Sequence, residues 1–172
     1  MVGALSLVAI KQRVFVFLRG VTSLGSGAFQ YCDTLTSVVI PEVITAIGSH
    51  MFSGCDNLAS VTLHDGITSI GEYAFYGCAF SSITLPKKLV TISQYAFNWC
   101  ENLTSLTFPR SVEVISANAF SYCTKLSTIS FHHGVDDNLL IGTDAFYLYS
   151  NLATTVKVPV ASSVNAGISG YD

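Results

Sequence analysis

The stretch Ile67-Thr-Ser-Ile-Gly-Glu-Tyr-Ala-Phe-Tyr-Gly-Cys78, followed by Ser82-Ile-Thr-Leu-Pro86, decides the fold because its elements return along the whole chain. Phe recurs at positions 29, 52, 75, 97, 120 and 146, at steps of 23, 23, 22, 23 and 26 residues. Cys follows three places later at 32, 55, 78, 100 and 123, and Tyr149 holds that place in the sixth unit. All five cysteines therefore form one column of one repeat. A fixed period of this length is the signature of a stacked repeat architecture.

Other columns keep the same register. Leu24, Ile47, Ile70, Ile92, Ile115 and Ile141 precede each Phe by five, and Gly or Ser follows each of them. Leu35, Leu58, Phe80, Leu103, Leu126 and Leu152 come just after the Cys column, where the unit carrying Phe80 is one residue short. Paired apolar positions two apart come next: Val38/Ile40, Val61/Leu63, Ile83/Leu85, Leu106/Phe108, Ile129/Phe131 and Val156/Val158. Alternation with period two predicts a strand in each unit. Pro41, Pro86, Pro109 and Pro159 end four of these strands, and His64 and His132 take the same place in the other two. A shorter extended segment and a compact helical or 3₁₀ turn complete the unit. No unit can bury its apolar side alone, so the units must stack, with strands in a parallel ladder at about 4.8 Å spacing.

The repeated residues from Val21 to Pro159 resemble the BspA-like subclass of leucine-rich repeats. That resemblance implies a repeat solenoid, a right-handed, β-rich (α/β) superhelix with a parallel strand ladder on its concave face. It also implies a role in binding host or matrix proteins at a cell surface. The expected organisation is an atypical N-terminal segment (1–20), six leucine-rich repeats of about 23 residues (21–159) and a C-terminal closing segment (160–172). Leu5-Ser-Leu-Val8-Ala-Ile10 fits the strand segment and reads as a decayed first unit or a cap, with Val14-Phe-Val-Phe-Leu18 as extra residues.

Composition excludes several functions. A net charge of −3 over 172 residues gives no basic footprint for nucleic acid, and Lys and Arg never cluster beyond Lys87-Lys88. Charged residues make up only 11%, so Ser and Thr must supply the polar surface. No apolar run approaches the roughly 18 residues of a membrane-spanning helix. The apolar first ten residues precede Lys11-Gln-Arg13, the wrong order for a secretory signal, which leaves an intracellular chain or a signal outside this sequence.

Candidate chemistry is sparse. Zinc ligands come as close Cys pairs, whereas these cysteines lie a full repeat apart. They read as a ladder of small buried hydrophobes, with disulfides between stacked neighbours as the alternative. His64 and His132 are three units apart, roughly 14 Å at ladder spacing, and cannot share a metal or proton. His64-Asp65-Gly66 and His132-His133-Gly134 read as turns in which Gly supplies a positive φ. Asp136-Asp137 with Asp144 reads as a solvated insertion rather than a calcium loop, which requires a different residue order. Asn102-Leu-Thr104 is a glycosylation sequon if the chain is secreted. No nucleophile motif or phosphate loop occurs, so the chain reads as no enzyme, with no cofactor and no metal site.

Two surfaces remain. Residues flanking the inward strand positions point outward, giving columns Ser37/Val39, Ser60/Thr62, Ser82/Thr84, Ser105/Thr107, Thr128/Ser130 and Thr155/Lys157. They form a polar platform for a protein or glycan ligand, or simply suit a solvated strand ladder. Around each Phe, the aromatics Tyr73, Tyr95, Trp99 and Tyr122, with His50, Tyr31, Tyr76 and Tyr147, are either interface anchors or turn packing. The expected function is a non-catalytic, adhesin-like binding module. Alternatives are a scaffolding fragment of a longer leucine-rich repeat protein or, against the irregular Ser/Thr mix, ice- or carbohydrate-surface binding.

Overall fold

The fold is taken from a computed structural model, which describes residues 23–132 and 139–147 in full and the backbone of two outer strands, Val14–Val16 (β1) and Thr155–Lys157 (β11). The segments 1–13, 17–22, 133–138, 148–154 and 158–172 lie outside it, including the Leu5–Ile10 strand reading, the Asp136-Asp137 insertion and the closing segment.

Each unit contributes three stretches of backbone, and each stretch stacks on its counterpart in the next unit. The first is the longer strand: Ser37–Val39 (β2), Ser60–Thr62 (β4), Ser105–Phe108 (β7) and Thr128–Phe131 (β9). These pair in parallel and in register, with Val38 beside Val61 and Leu106 beside Ile129. The second is a two-residue strand: Ala46–Ile47 (β3), Ser69–Ile70 (β5), Thr91–Ile92 (β6), Val114–Ile115 (β8) and Leu140–Ile141 (β10). These form a continuous five-stranded parallel sheet with the Ile residues in one row.

The third stretch, around each Phe, is a compact turn, and no helix occurs among the described residues. Its amides divide into two sets. Those one before, one after and three after the Phe close i to i−3 bonds within the turn, as Met51 to Gly48, Ser53 to His50 and Cys55 to Phe52. The intervening amides donate to the next unit: His50 to the Glu72 carbonyl, Phe52 to Ala74 and Gly54 to Tyr76, each at 2.8 Å. The turns are thus a third ladder, and stacking satisfies backbone groups that a lone turn would leave unpaired.

Between the ladders the Phe column stacks face to face, with centroid spacings of 5.3, 5.4, 5.2, 4.9 and 5.4 Å from Phe29 to Phe146. Phe80 and Phe108 meet this stack edge-on. Each fully buried Phe contributes roughly 1.5–3 kcal/mol, as does each buried Leu and Ile packed around the spine.

Three readings need correction. The strand beside β2 is β1, with Val14 opposite Ser37 and Val16 opposite Val39, so Val14-Phe15-Val16 occupies the place assigned to Leu5–Ile10. Phe15 lies one period, 23 residues, before Val38. Secondly, Ile83 and Leu85 lie in no strand, and only Ser82 bridges, to Ser105. A single residue, Ala79, separates Cys78 from Phe80, where the neighbouring units have two, and Phe80 is still drawn fully into the core. The long ladder is split at this shortened unit into β1-β2-β4 and β7-β9-β11, although Ser82 keeps its column position opposite Ser105. Thirdly, Gly66 has no positive φ; a Cβ there would stand 2.9 Å from the His64 ring. Close approach, not backbone handedness, selects glycine at that turn.

Candidate binding surfaces

The outward columns of the long ladder are uncharged throughout the described residues. Ser60, Thr62, Ser82, Thr84, Ser105, Thr107 and Thr128 are exposed, while Ser37 and Ser130 are half-buried. Register sets Ser37 beside Ser60, Ser105 beside Thr128 and Thr107 beside Ser130. The break at the Phe80 unit divides this platform, leaving Ser82 joined to Ser105 and detached from Ser60. Val39, 53% exposed, adds the one apolar patch. The side chains of Thr155 and Lys157 lie outside the described residues.

The cysteine column is a hydrogen-bonded ladder. The thiols of Cys55, Cys78, Cys100 and Cys123 donate to the carbonyls of Phe29, Phe52, Phe75 and Phe97, one unit earlier, at 3.0 to 3.3 Å. Those carbonyls already accept the amide of the Cys three residues on, so the thiol fills the second lone pair. All five thiols are free. Burial pushes the Cys55 and Cys123 thiols up to about 12, and those of Cys78 and Cys100 well above the ordinary value. A thiol held protonated is neither nucleophile nor metal ligand.

His64 is held at both ring nitrogens: Nδ1 accepts the Gly66 amide at 3.1 Å, and Nε2 faces the Ile44 carbonyl at 2.9 Å. That pattern fixes the Nε2–H tautomer and assigns the ring to the turn. Asp65 next to it is exposed and paired with Lys87, whose side chain and backbone amide both bond its carboxyl and lower its pKa.

The turn ladder carries the second surface. Residues two before and two after each Phe adopt left-handed backbone. The first column is Gly27, His50, Tyr73, Tyr95, Asn118 and Asp144; the second is Tyr31, Gly54, Gly77, Trp99 and Tyr122. This conformation costs a non-glycine residue roughly 1–2 kcal/mol, and Gly, Asn or Asp would bear it most easily. The middle units nevertheless place aromatics there. His50, Tyr73 and Tyr95 stack at 5.0 and 4.7 Å, and Trp99 stacks on Tyr122 at 4.9 Å. Burial within its stack, followed by the neighbouring Tyr95, Glu72 and Tyr76, raises the Tyr73 pKa.

These two columns flank a groove of about 530 Å³. Its base is the column one after each Phe, represented by Gln30, Ser53, Tyr76 and Asn98. Ser53 and Asn98 are buried, and the Asn98 amide donates to the Asn118 carbonyl at 3.3 Å. The structure therefore brings Tyr73, Tyr95, Trp99 and Tyr122 to one groove, on a different surface from the Ser/Thr platform. The polar base went unnoticed in the sequence, although Gln, Ser, Tyr, Asn and Ser occupy that column at regular spacing.

The chain matches the model of the BspA type leucine-rich repeat region in six copies over residues 22–155. Among solved structures it is similar to a leucine-rich repeat protein of Treponema pallidum, at 26% identity and a TM-score of 0.61 over 70% of this chain and 73% of that one. A leucine-rich repeat protein of Bacteroides ovatus gives 31% identity and a TM-score of 0.63, over 78% of this chain and 40% of that one. A protein described as a leucine-rich cell surface protein of Faecalibacterium prausnitzii gives 27% and 0.51, over 80% and 45%. The chain thus spans less than half the length of the last two. No curated protein matches it. The six-copy match and the three stacked ladders place this chain in the BspA-type leucine-rich repeat family.

Proposed function

We propose that the chain is a non-catalytic, adhesin-like binding module that docks a protein partner on the outward face of its long strand ladder. The observation that carries this reading is the uncharged row of Ser105, Thr107, Thr128 and Ser130, held in register by β7 and β9 and open to solvent at its first three members. Short hydroxyl side chains lose little rotamer freedom on binding, so their hydrogen bonds add to affinity at small entropic cost. The buried thiols and the turn-bound His64 support a non-catalytic role, and among the described residues no three His, Cys, Asp or Glu side chains converge. Display at a cell surface is part of the same reading and draws on the F. prausnitzii neighbour, which is described as a cell surface protein.

Proteins retained by the immobilised chain and identified by mass spectrometry provide the test. Replacing Ser105, Thr107 and Thr128 together with Lys is expected to abolish retention while the melting curve stays close to wild type. Retention unchanged in that variant rules out the ladder face.

A further inference from the structure

The turn groove lies on a different surface from the strand ladder and has its own chemistry. It is lined by aromatics and uncharged hydrogen-bonding groups, and no Lys, Arg, Asp or Glu lines it. Its rings are not all consumed by internal stacking. The Cδ1–Cε1 edge of Tyr31 packs against Gly54: a Cβ on that glycine would stand 2.5 Å from the ring, yet Tyr31 is 70% exposed. Trp99 is covered on one side by Tyr122 and remains 45% exposed. In the unit before Trp99 the same column is Gly77, and only the Asp56 carboxylate comes within 4 Å of where its Cβ would be. A slot bordered by the Asp56 carboxylate therefore lies over Gly77, between the columns of Tyr31 and Trp99.

The backbone gives a second, independent reason to look here. Tyr31 and Trp99 occupy left-handed positions that Gly54 and Gly77 occupy in the two units between them. Bulky side chains held in a disfavoured conformation, and left exposed, point to selection for what they present to solvent.

We propose that this groove binds an uncharged glycan chain, with a sugar ring seated in the slot over Gly77 between Tyr31 and Trp99. The C–H-rich face of a six-membered sugar ring packs on an aromatic face. Its rim of hydroxyls needs neutral partners, which Gln30, Ser53, Tyr76 and Asn98 supply along the base. The Asp56 carboxylate at the margin accepts hydroxyl donors and repels acidic sugars. It also argues against a proline-rich peptide, the other usual occupant of an aromatic groove, because such a peptide offers carbonyls but few donors.

Trp99 is the chain's only tryptophan, so its fluorescence reports on this site alone. The full chain is titrated with barley mixed-linkage β-glucan, galactomannan and pullulan, with polygalacturonate as an acidic control and decaproline as the peptide control. Mobility in native gels containing each polymer is measured in parallel. At least one neutral polysaccharide is expected to shift Trp99 emission and retard the chain, and polygalacturonate is not. Tyr31→Gly and Trp99→Gly remove the rings while leaving a residue suited to the local backbone, so both variants should melt near the wild-type temperature and lose retardation at least tenfold. No response to any of the three neutral polymers overturns the proposal. So does retardation that persists in both variants, or a response to decaproline alone. The lysine variant of the strand ladder is expected to retain glycan binding, which separates failure of this site from failure of the protein-docking face.

Discussion

The Sγ of Cys78 lies 3.3 Å from the carbonyl oxygen of Phe52, the same oxygen that accepts the amide of Cys55 from within its own turn. Each thiol therefore fastens its unit to the one before it through a buried carbonyl. Deleting the sulfur removes a buried donor and leaves a small void. Cys100→Ala is expected to cost about 1–3 kcal/mol in chemical denaturation. A cost below the error of that measurement would mean the thiol bond adds nothing.

Reactivity should follow the same pattern. Cys32, half-buried at the start of the column, should be alkylated in the native protein, and Cys55, Cys78, Cys100 and Cys123 only after unfolding. Peptide mapping after brief iodoacetamide treatment checks this. Native labelling of Cys100 at the rate of Cys32 would contradict the burial described.

The buried thiols also set an alkaline limit. Below the ordinary thiol value of 9.0 they are protonated in both folded and unfolded chains, and their contribution is constant. Above it the unfolded chain loses those protons while the native chain keeps them, so stability falls as pH rises towards about 12, where Cys55 and Cys123 titrate in the fold. The slope is about 1.4 kcal/mol per pH unit for each such thiol. Denaturation midpoints between pH 8 and 11 should fall, and the fall should be shallower in Cys123→Ala. An equal fall in both would exclude this cause.

Two glycines should fail for different reasons. Gly77 has φ +73, so Ala there meets backbone strain of roughly 1–2 kcal/mol and Asn should restore most of it. Gly71 has no positive φ, but a Cβ would stand 2.7 Å from the Ser49 nitrogen, backbone of the previous unit. Ala and Asn should both destabilise at that position, by about 1–3 kcal/mol. Rescue of Gly71→Ala by Asn would show that strain, not crowding, governs both sites.

The split in the long ladder is open to a direct test. Inserting Asn between Ala79 and Phe80 restores the two-residue spacing seen in the neighbouring units and should let Ile83 and Leu85 join a continuous ladder. Amide exchange at Thr84 and Leu85 is expected to slow by at least tenfold relative to the parent chain, as for any newly paired strand. Unchanged exchange would place the cause of the break elsewhere.

Most of the fold was legible because a period of about 23 residues forces like onto like: the Phe spine, the Ile row of the short strands and the register of β7 with β9 all follow from column identity. β1 is harder to read because Phe15 stands where Val, Ile or Leu stands in the later units, although it keeps the 23-residue spacing to Val38. The third unit escaped because a one-residue deletion leaves the apolar alternation of Ile83 and Leu85 intact while removing its partner. The outward Ser/Thr columns and the recurring aromatics are legible in the sequence as surface candidates. The left-handed backbone that aims those aromatics is not, because Tyr, Trp and His do not advertise a positive φ as Gly27, Gly54 and Asn118 do in the same columns.

The turn ladder has an electrical direction, opposite to that of the amides around the short strands, such as Thr68, Gly71, Ser93 and Ser116, which donate to the unit before. At every one of its five junctions three amides donate forward, and the carbonyl that receives each bond belongs to the same peptide group as the next donor. The peptide group of Ser26 and Gly27 feeds that of Ser49 and His50, then Glu72 and Tyr73, Gln94 and Tyr95, Ala117 and Asn118, and Thr143 and Asp144. Such chains polarise one another as the peptide groups of a helix do. Their partial positive end faces the C-terminal units and their negative end the N-terminal ones, the reverse of an α-helix. Within the turn ladder, each chain of bonds is continued only by another turn of the same polarity.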